Sequence, residues 1–304
     1  MKFTQLVGKN MQNIIFQWQV EENYHHCLLR DFLRCEKEIS RLALSQIKNA
    51  GQLLVNGESV TVRAVLKQGD KVTVVFPPEE RGDGIQARKI PLHIVYEDDH
   101  LLVINKQANL PTIPSRYHPE YSLANAVMYH YDKWEIPTTF HAVNRLDRDT
   151  TGLLIVAKHR YAHDLFTKEQ RAGKIKRVYV AIVHGHIEQK AGVINAAIGR
   201  KEDSIVEREV RLDGQEAITH YKVMQHLKEE TVVQLSLETG RTHQIRVHMA
   251  SMGHPLLGDD LYGGSMDKIK RQALHSWRLK FFHPILKEEM SFSVDPPKDM
   301  STLL

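Results

Sequence analysis

The chain has 304 residues, with 41 Lys and Arg against 37 Asp and Glu and a formal net charge of +4. That length exceeds one ordinary domain of about 100 to 200 residues, so two are expected, and the mildly basic balance permits an anionic partner without requiring one. Cys27 and Cys35 are the only cysteines, which excludes a disulfide framework and a cysteine zinc site. No run approaches the roughly 20 apolar residues of a membrane span, and nothing at the N-terminus has a signal-peptide core. The expectation is a soluble, cytoplasmic protein with reduced thiols.

From Glu21 to Phe76 the pattern predicts two short amphipathic helices followed by a hairpin. Leu28, Leu29, Phe32 and Leu33 share one helical face, and Ile39, Leu42, Ala43 and Ile47 share the next. Gly51 stands where a left-handed C-terminal cap is expected. Leu53 to Val55, the turn Asn56-Gly57 and Val60 to Val62 make the hairpin, and Gly69-Asp70 leads into a last strand over 71 to 75. Arg30, Arg34, Lys37, Arg41 and Lys48 lie on or beside the helices, where they could meet phosphates; a solvated helix face would carry the same charges. The run Pro77 to Gly84 has the Pro, Gly and charge content of a linker, and its Arg81-Gly82-Asp83 reads as a solvated turn. The expected domains are residues 1 to 77 and 90 to 304, joined by a linker over 78 to 89.

In the large region, short strands at 94 to 96 and 101 to 105 mix with helices such as 123 to 131. Few strand-helix-strand units recur, so an α+β domain on an antiparallel or mixed sheet is expected. The run Arg145-Leu146-Asp147-Arg148-Asp149-Thr150-Thr151-Gly152 sets an aspartate between arginines and passes into an apolar strand. Flanking cations favour the ionised carboxylate, as a nucleophile requires, although a surface turn has the same spelling. Val233, Leu235 and Leu237 alternate with polar residues in a half-buried strand ending at Thr239-Gly240. A helix follows, with Thr242 as N-cap, Ile245, Met249 and Met252 on its apolar face and Gly253 as its stop. Arg246 sits about 100° round from Ile245, off the buried stripe. His243, His248 and His254 are the best metal candidates, but five residues separate the first two, about 500° on a helix, so no metal is expected. Nucleotide-binding glycine loops are absent as well, and no cofactor is implied.

These motifs are collinear with two known signatures. Ser40-Arg41, Val55-Asn56-Gly57 and Gly69-Asp70-Lys71-Val72 resemble the S4 RNA-binding domain over most of residues 14 to 77. Tyr96 to Lys106, Arg145-Leu146-Asp147, Arg177-Val178-Tyr179-Val180-Ala181, Gly240 to His248, His254 to Gly263 and Leu274 to Leu279 with His283-Pro284 resemble the RluA-type pseudouridine synthases over about residues 90 to 295. Gln107, Asn109, Asn144 and Asp260 depart from that pattern. The resemblance implies the pseudouridine synthase fold, a mixed, mainly antiparallel sheet with a central cleft, and cofactor-free isomerisation of uridine in RNA. It implies Asp147, Tyr179 and Arg246 as catalytic residues, with Arg145, Arg241, His243, Gln244 and Leu279 binding substrate. The two-domain arrangement resembles the RluD-like branch, so large-subunit ribosomal RNA is the expected partner, with transfer RNA open and a monomer expected. Two alternatives stand beside it: an S4-type ribosome-assembly factor without catalysis, and a glycoside hydrolase using Asp147 and Asp149 as paired carboxylates.

Overall fold

The structure is a computed structural model describing residues 14–81 and 84–304. Residues 1–13 of the expected first domain and Gly82-Asp83 of the expected solvated turn lie outside the described residues. The chain opens with β1 (Ile14–Gln19), α1 (Leu29–Asp31) continuing as a π turn through Phe32–Glu36, α2 (Arg41–Ala50), β2 (Gln52–Val55), β3 (Glu58–Ser59) and β4 (Lys71–Phe76). The strands form an antiparallel sheet in the order β1-β4-β2-β3. Strand β4 turns Val72, Val74 and Phe76 inward, and Leu29, Phe32, Leu33, Ala43 and Ile47 of the helices cover them. That is the alternation and the helical stripe that burying one face of each element demands.

Four local expectations change. Leu42 is 55 % exposed, because Ile39 belongs to the loop before α2. The helix takes its phase from its N-cap Ser40, whose Oγ accepts from Ala43 N at 3.2 Å, and this turns Ala43, Leu44 and Ile47 inward instead. Gly51 is extended, with φ −108°, and not left-handed; a side chain there would put its Cβ 2.3 Å from the Val75 carbonyl oxygen, so close approach is what demands glycine. Strand β1 was not signalled, and only Glu58 and Ser59 pair in the hairpin's return arm.

The segment after β4 is held in place. Glu79 accepts from Arg160 N at 2.6 Å and bonds His141 Nε2 at 2.5 Å, and the Arg81 guanidinium reaches the Asp132 carboxylate and the Thr138 and Ile136 carbonyls. The large region then continues as β5 (Ile94–Glu97), β6 (Leu101–Lys106), α3 (Leu123–Lys133), β7 (His141–Ala142), β8 (Thr151–Ala157), α4 (Arg160–Arg171), β9 (Lys176–His184), β10 (Ala191–Asn195), β11 (Ile198–Arg200), β12 (Arg208–Val210), β13 (Ile218–His226), β14 (Glu230–Leu237), α5 (Gln244–Ser251), β15 (Leu274–His283), β16 (Glu288–Ser293) and α6 (Lys298–Ser301). Ten strands form one sheet along the path β10-β13-β14-β9-β15-β8-β6-β5, with β16 on β15 and β7 on β8. Its named strand pairs are antiparallel except β8 with β15.

Strand β8 is buried along its whole length because both sheet faces are covered. Leu154 and Val156 join the core under α3, whereas Leu153, Ile155 and Ala157 join the core under α4, which is why its sequence is continuously apolar. At its start Gly152 has φ 104°, and a Cβ there would lie 2.2 Å from the Ser276 carbonyl oxygen. Only glycine lets β8 meet β15 that closely, and this junction sets where the preceding Asp147 loop emerges.

Candidate active site

Asp147 sits in the turn feeding β8, where Thr150 N donates to the Asp147 carbonyl at 3.2 Å. Two anchors hold that turn. Thr112 Oγ1 donates to the Leu146 carbonyl at 2.7 Å and accepts from Leu146 N at 3.2 Å. The buried Lys106 ammonium, at the end of β6, donates to the carbonyls of Gln107, Leu110 and Arg148 at 3.0, 2.9 and 2.8 Å. Burial pushes the Lys106 pKa down to about 7, against the pull of Asp147 and Asp149. The loop carrying Gln107 and Asn109 is therefore tied to the aspartate turn by one buried cation.

The partner of Asp147 comes from α5, 99 residues later: Arg246 Nη1 lies 3.4 Å from Asp147 Oδ2. Arg246 is only 7 % exposed, which corrects the expected position off the buried stripe. Its burial is compensated by fully buried Asp259, which accepts from Nε and Nη2 at 2.7 Å each, and by the Tyr262 ring 4.9 Å beneath the guanidinium. Burial works against the charged form, but the Asp259 bonds, then the Asp259 and Asp147 charges, more than offset it and raise the Arg246 pKa. A bidentate pair also fixes the guanidinium's plane, so Asp259 aims Arg246 at Asp147. Asp259 and Tyr262 lie within the His254 to Gly263 signature, yet nothing in the sequence gave either a role.

His243, not Thr242, caps α5, with φ 58° in the left-handed region. This turns its ring back over the site, with Nε2 3.9 Å from Asp147 Oδ2 and Nδ1 2.8 Å from the Tyr262 hydroxyl. Tyr262 Oη also accepts from Arg208 N at 3.0 Å, which ties the ring to the β12 backbone. Burial pushes the His243 pKa down, opposed by Asp147.

Asp147, His243 and Arg246 line a cleft of about 510 Å³ together with Tyr179, Arg145, Arg148, Arg241, Gln244 and Leu274. That volume falls in the range of small-molecule sites. Tyr179, on β9, is 4 % exposed and pairs in register with Ser276 of β15, so the β8–β15–β9 junction brings the tyrosine to the cleft that Asp147 also lines. The flanking arginines behave differently from expectation: Arg148 pairs with Asp149 at 2.8 Å, and Arg246, not Arg148, is the cation at Asp147. With Arg148 and Asn109 N on its carboxylate, Asp149 is outside the cleft lining, which removes the paired-carboxylate reading. Gln244 spends its amide internally, accepting from Arg241 N and Thr239 Oγ1 and donating to Ile218 O and Thr219 Oγ1; it orders the loop. Arg241 bonds the Glu216 carbonyl at 2.9 Å while lining the cleft. Leu279 is fully buried in the core under α4 and lines no part of the cleft. Leu274, at the start of the same strand, occupies the position expected of it, since β15 carries its later residues away from the site. Asn144 Oδ1 accepts from Ile155 N at 3.0 Å, which ties the segment before Asp147 to β8.

The five basic residues on and beside α1 and α2 are not part of this cleft's lining. Arg34, Arg41 and Lys48 are exposed and form no ion pair with another described residue. Arg30 pairs with Asp31 at 3.3 Å, and half-buried Lys37 with Glu36 at 3.2 Å while lying over the Trp18 and Phe32 rings. No described helix is long and apolar enough to cross a membrane.

Residues 100–251 match the sequence model of the RNA pseudouridylate synthase family. The chain is 51% identical over 270 residues to the protein named uncharacterized RNA pseudouridine synthase YjbO of Bacillus subtilis, covering 88% of this chain and 95% of that one. It is 38% identical over 278 residues to ribosomal large subunit pseudouridine synthase D of Vibrio cholerae, covering 86% and 85% of the two chains. Among solved structures, human RNA pseudouridylate synthase domain containing 1 superposes with a TM-score of 0.57 at 26% identity, over 72% of this chain and 87% of that one.

Proposed function

Since this chain belongs to the RNA pseudouridylate synthase family, we propose that it isomerises selected uridines of large-subunit ribosomal RNA, with Asp147 as the acting carboxylate. One observation carries the reading: a single carboxylate held 3.4 Å from a buried, bidentately fixed arginine, in a cleft of about 510 Å³ that also holds a tyrosine. The isomerisation breaks the N1 to C1′ bond, turns the base and joins C5 to C1′; the C5 hydrogen leaves as a proton and N1 takes one up. Nothing is oxidised and no group leaves, so the chain's own side chains suffice. Asp147 attacks C1′ or takes the C2′ proton, Arg246 holds it in place, and Tyr179 offers its ring to the uracil face and its phenol oxygen to the C5 proton. The base must first leave the RNA stack at a cost of a few kcal/mol. The sheet over residues 14–77 supports the S4-like reading, with Arg34, Arg41 and Lys48 as its exposed phosphate contacts, and with residues 78 to 89 joining it to a catalytic domain over 90 to 304. The name carried by the Vibrio cholerae relative is what puts ribosomal RNA before transfer RNA.

Tritium release from ribosomal RNA carrying 5-tritiated uridine tests this, comparing the protein with Asp147→Asn. Release by the wild type alone, with RNA affinity kept in the variant, is the expected result. Release only from transfer RNA corrects the substrate; substantial release by Asp147→Asn removes that residue from its role; tight binding with no release from either RNA favours the assembly-factor reading.

A further inference from the structure

Three arginines are buried among the described residues, at 7 to 8 % exposure: Arg177, Arg246 and Arg271. Two have carboxylate partners, Arg246 with Asp259 and Arg271 with Asp299, each at 2.7 Å. Arg177 pairs with no described carboxylate, its side chain donates no hydrogen bond to a described residue, and its Nε is buried without a partner. A buried guanidinium left uncompensated is costly, so a protein that keeps one there is expected to meet an anion at that place. Arg177 lines the Asp147 cleft. It stands two residues before Tyr179 on β9, on the same face and about 7 Å along the strand. Gly240 lines the same cleft beside it, where a Cβ would come 3.5 Å from Arg177 Nη2. Two more buried polar atoms without partners, Asn144 Nδ2 and Gln170 Oε1, belong to residues lining the same cleft, which marks this end as built for a polar ligand.

We infer that Arg177 binds the RNA phosphodiester next to the uridine held against Tyr179, and so positions the nucleotide for Asp147. This rests on the cleft turning over uridine in RNA. Guanidinium and phosphate match as a bidentate pair, and a phosphate one nucleotide unit from the stacked base falls within the 7 Å that separates the two side chains on the strand.

The test uses Arg177→Gln, Arg177→Lys and Arg177→Met, with tritium release and salt-dependent binding measured on a large-subunit ribosomal RNA transcript. Binding is measured in the Asp147→Asn background. Arg177→Gln is expected to raise KM about 10- to 100-fold, the worth of one charge-assisted contact, with kcat changed far less. Its log-log salt slope should fall by about 0.7 to 0.9, the release expected for one phosphate. Arg177→Lys should keep the slope, and Arg177→Met should leave Tm unchanged or higher, because an unpaired buried charge has been removed. Weaker binding with an unchanged slope would overturn the inference in favour of a contact to the base. A lowered Tm in Arg177→Met with KM unchanged in Arg177→Gln would make Arg177 structural. If the wild type itself releases no tritium, the underlying reading falls instead, and this inference with it.

Discussion

Replacing Asp259 by Asn tests whether Arg246 is aimed or merely present. In the native protein the Asp259 carboxylate is fully buried and takes two guanidinium hydrogens at 2.7 Å, while Asp147 takes one at 3.4 Å. Asparagine keeps the shape, but it removes the charge and turns one acceptor into a donor facing a cation. Two charge-assisted bonds at about 1.5 to 3 kcal/mol each give a loss of about 3 to 6 kcal/mol, in line with the roughly 3 to 5 kcal/mol seen when one partner of a buried pair is removed. At about 2 to 4 °C per kcal/mol for a domain of this size, Tm should fall by about 6 to 24 °C. With its plane no longer fixed, Arg246 should swing toward the remaining carboxylate, Asp147, and misplace the reacting group, for which a rate loss on the order of 100-fold is expected. Calorimetry gives the first quantity, and tritium release below the lowered transition gives the second. A variant melting within about 2 °C of wild type and turning over within threefold of it would refute the claim that Asp259 holds the catalytic pair.

Two further perturbations separate the scaffold from the chemistry. Lys106→Met leaves the carbonyls of Gln107 and Leu110 without their ammonium donor and frees the Asp147 turn; we expect kcat about 10- to 100-fold lower with RNA affinity within about threefold, and an unchanged kcat in tritium release would show that Thr112 alone suffices as anchor. His100 Nδ1 lies 3.0 Å from His159 Nε2 beneath Phe16 of the first sheet, and burial pushes the His100 pKa down to about 4. Because the unfolded histidine takes up its proton first, at about 6.5, this stability is present above pH 6.5 and lost as the pH falls to about 4, amounting to about 3 kcal/mol. Denaturant unfolding at pH 7 and 4.5 should show that loss in the wild type and less of it in His100→Asn; equal losses would exclude His100 as its source.

Much of the site could be read along the chain because its motifs are local strings. Arg145-Leu146-Asp147 ahead of a continuously apolar strand, the tyrosine two residues into β9's basic end, and the run around Arg246 each record what one segment must do, whatever packs against it. The α+β class and the elements at 94 to 97, 101 to 106 and 123 to 133 follow from residue periodicity in the same way. Who touches whom depended on segments far apart in sequence. Arg148 is adjacent to Asp147 yet turns to Asp149, while the cation at Asp147 comes from 99 residues away and is held by Asp259. Leu274 and Leu279 share one strand, but only the register of β15 against β8 and β9 decides which reaches the cleft. Leu42 turned outward because α2 takes its phase from the N-cap Ser40, leaving Ile39 in the loop before it, and Gly51 was required by a neighbouring carbonyl instead of by its own φ. The sequence by itself determined most of the elements and, through its local motifs, the family, since those depend on backbone period and residue type. The tertiary structure alone decided that Asp259 fixes Arg246, that Arg148 turns to Asp149, that Arg177 is buried without a partner among the described residues, and that Leu274 lines the cleft, since these depend on distances that only the packing of segments far apart in sequence creates.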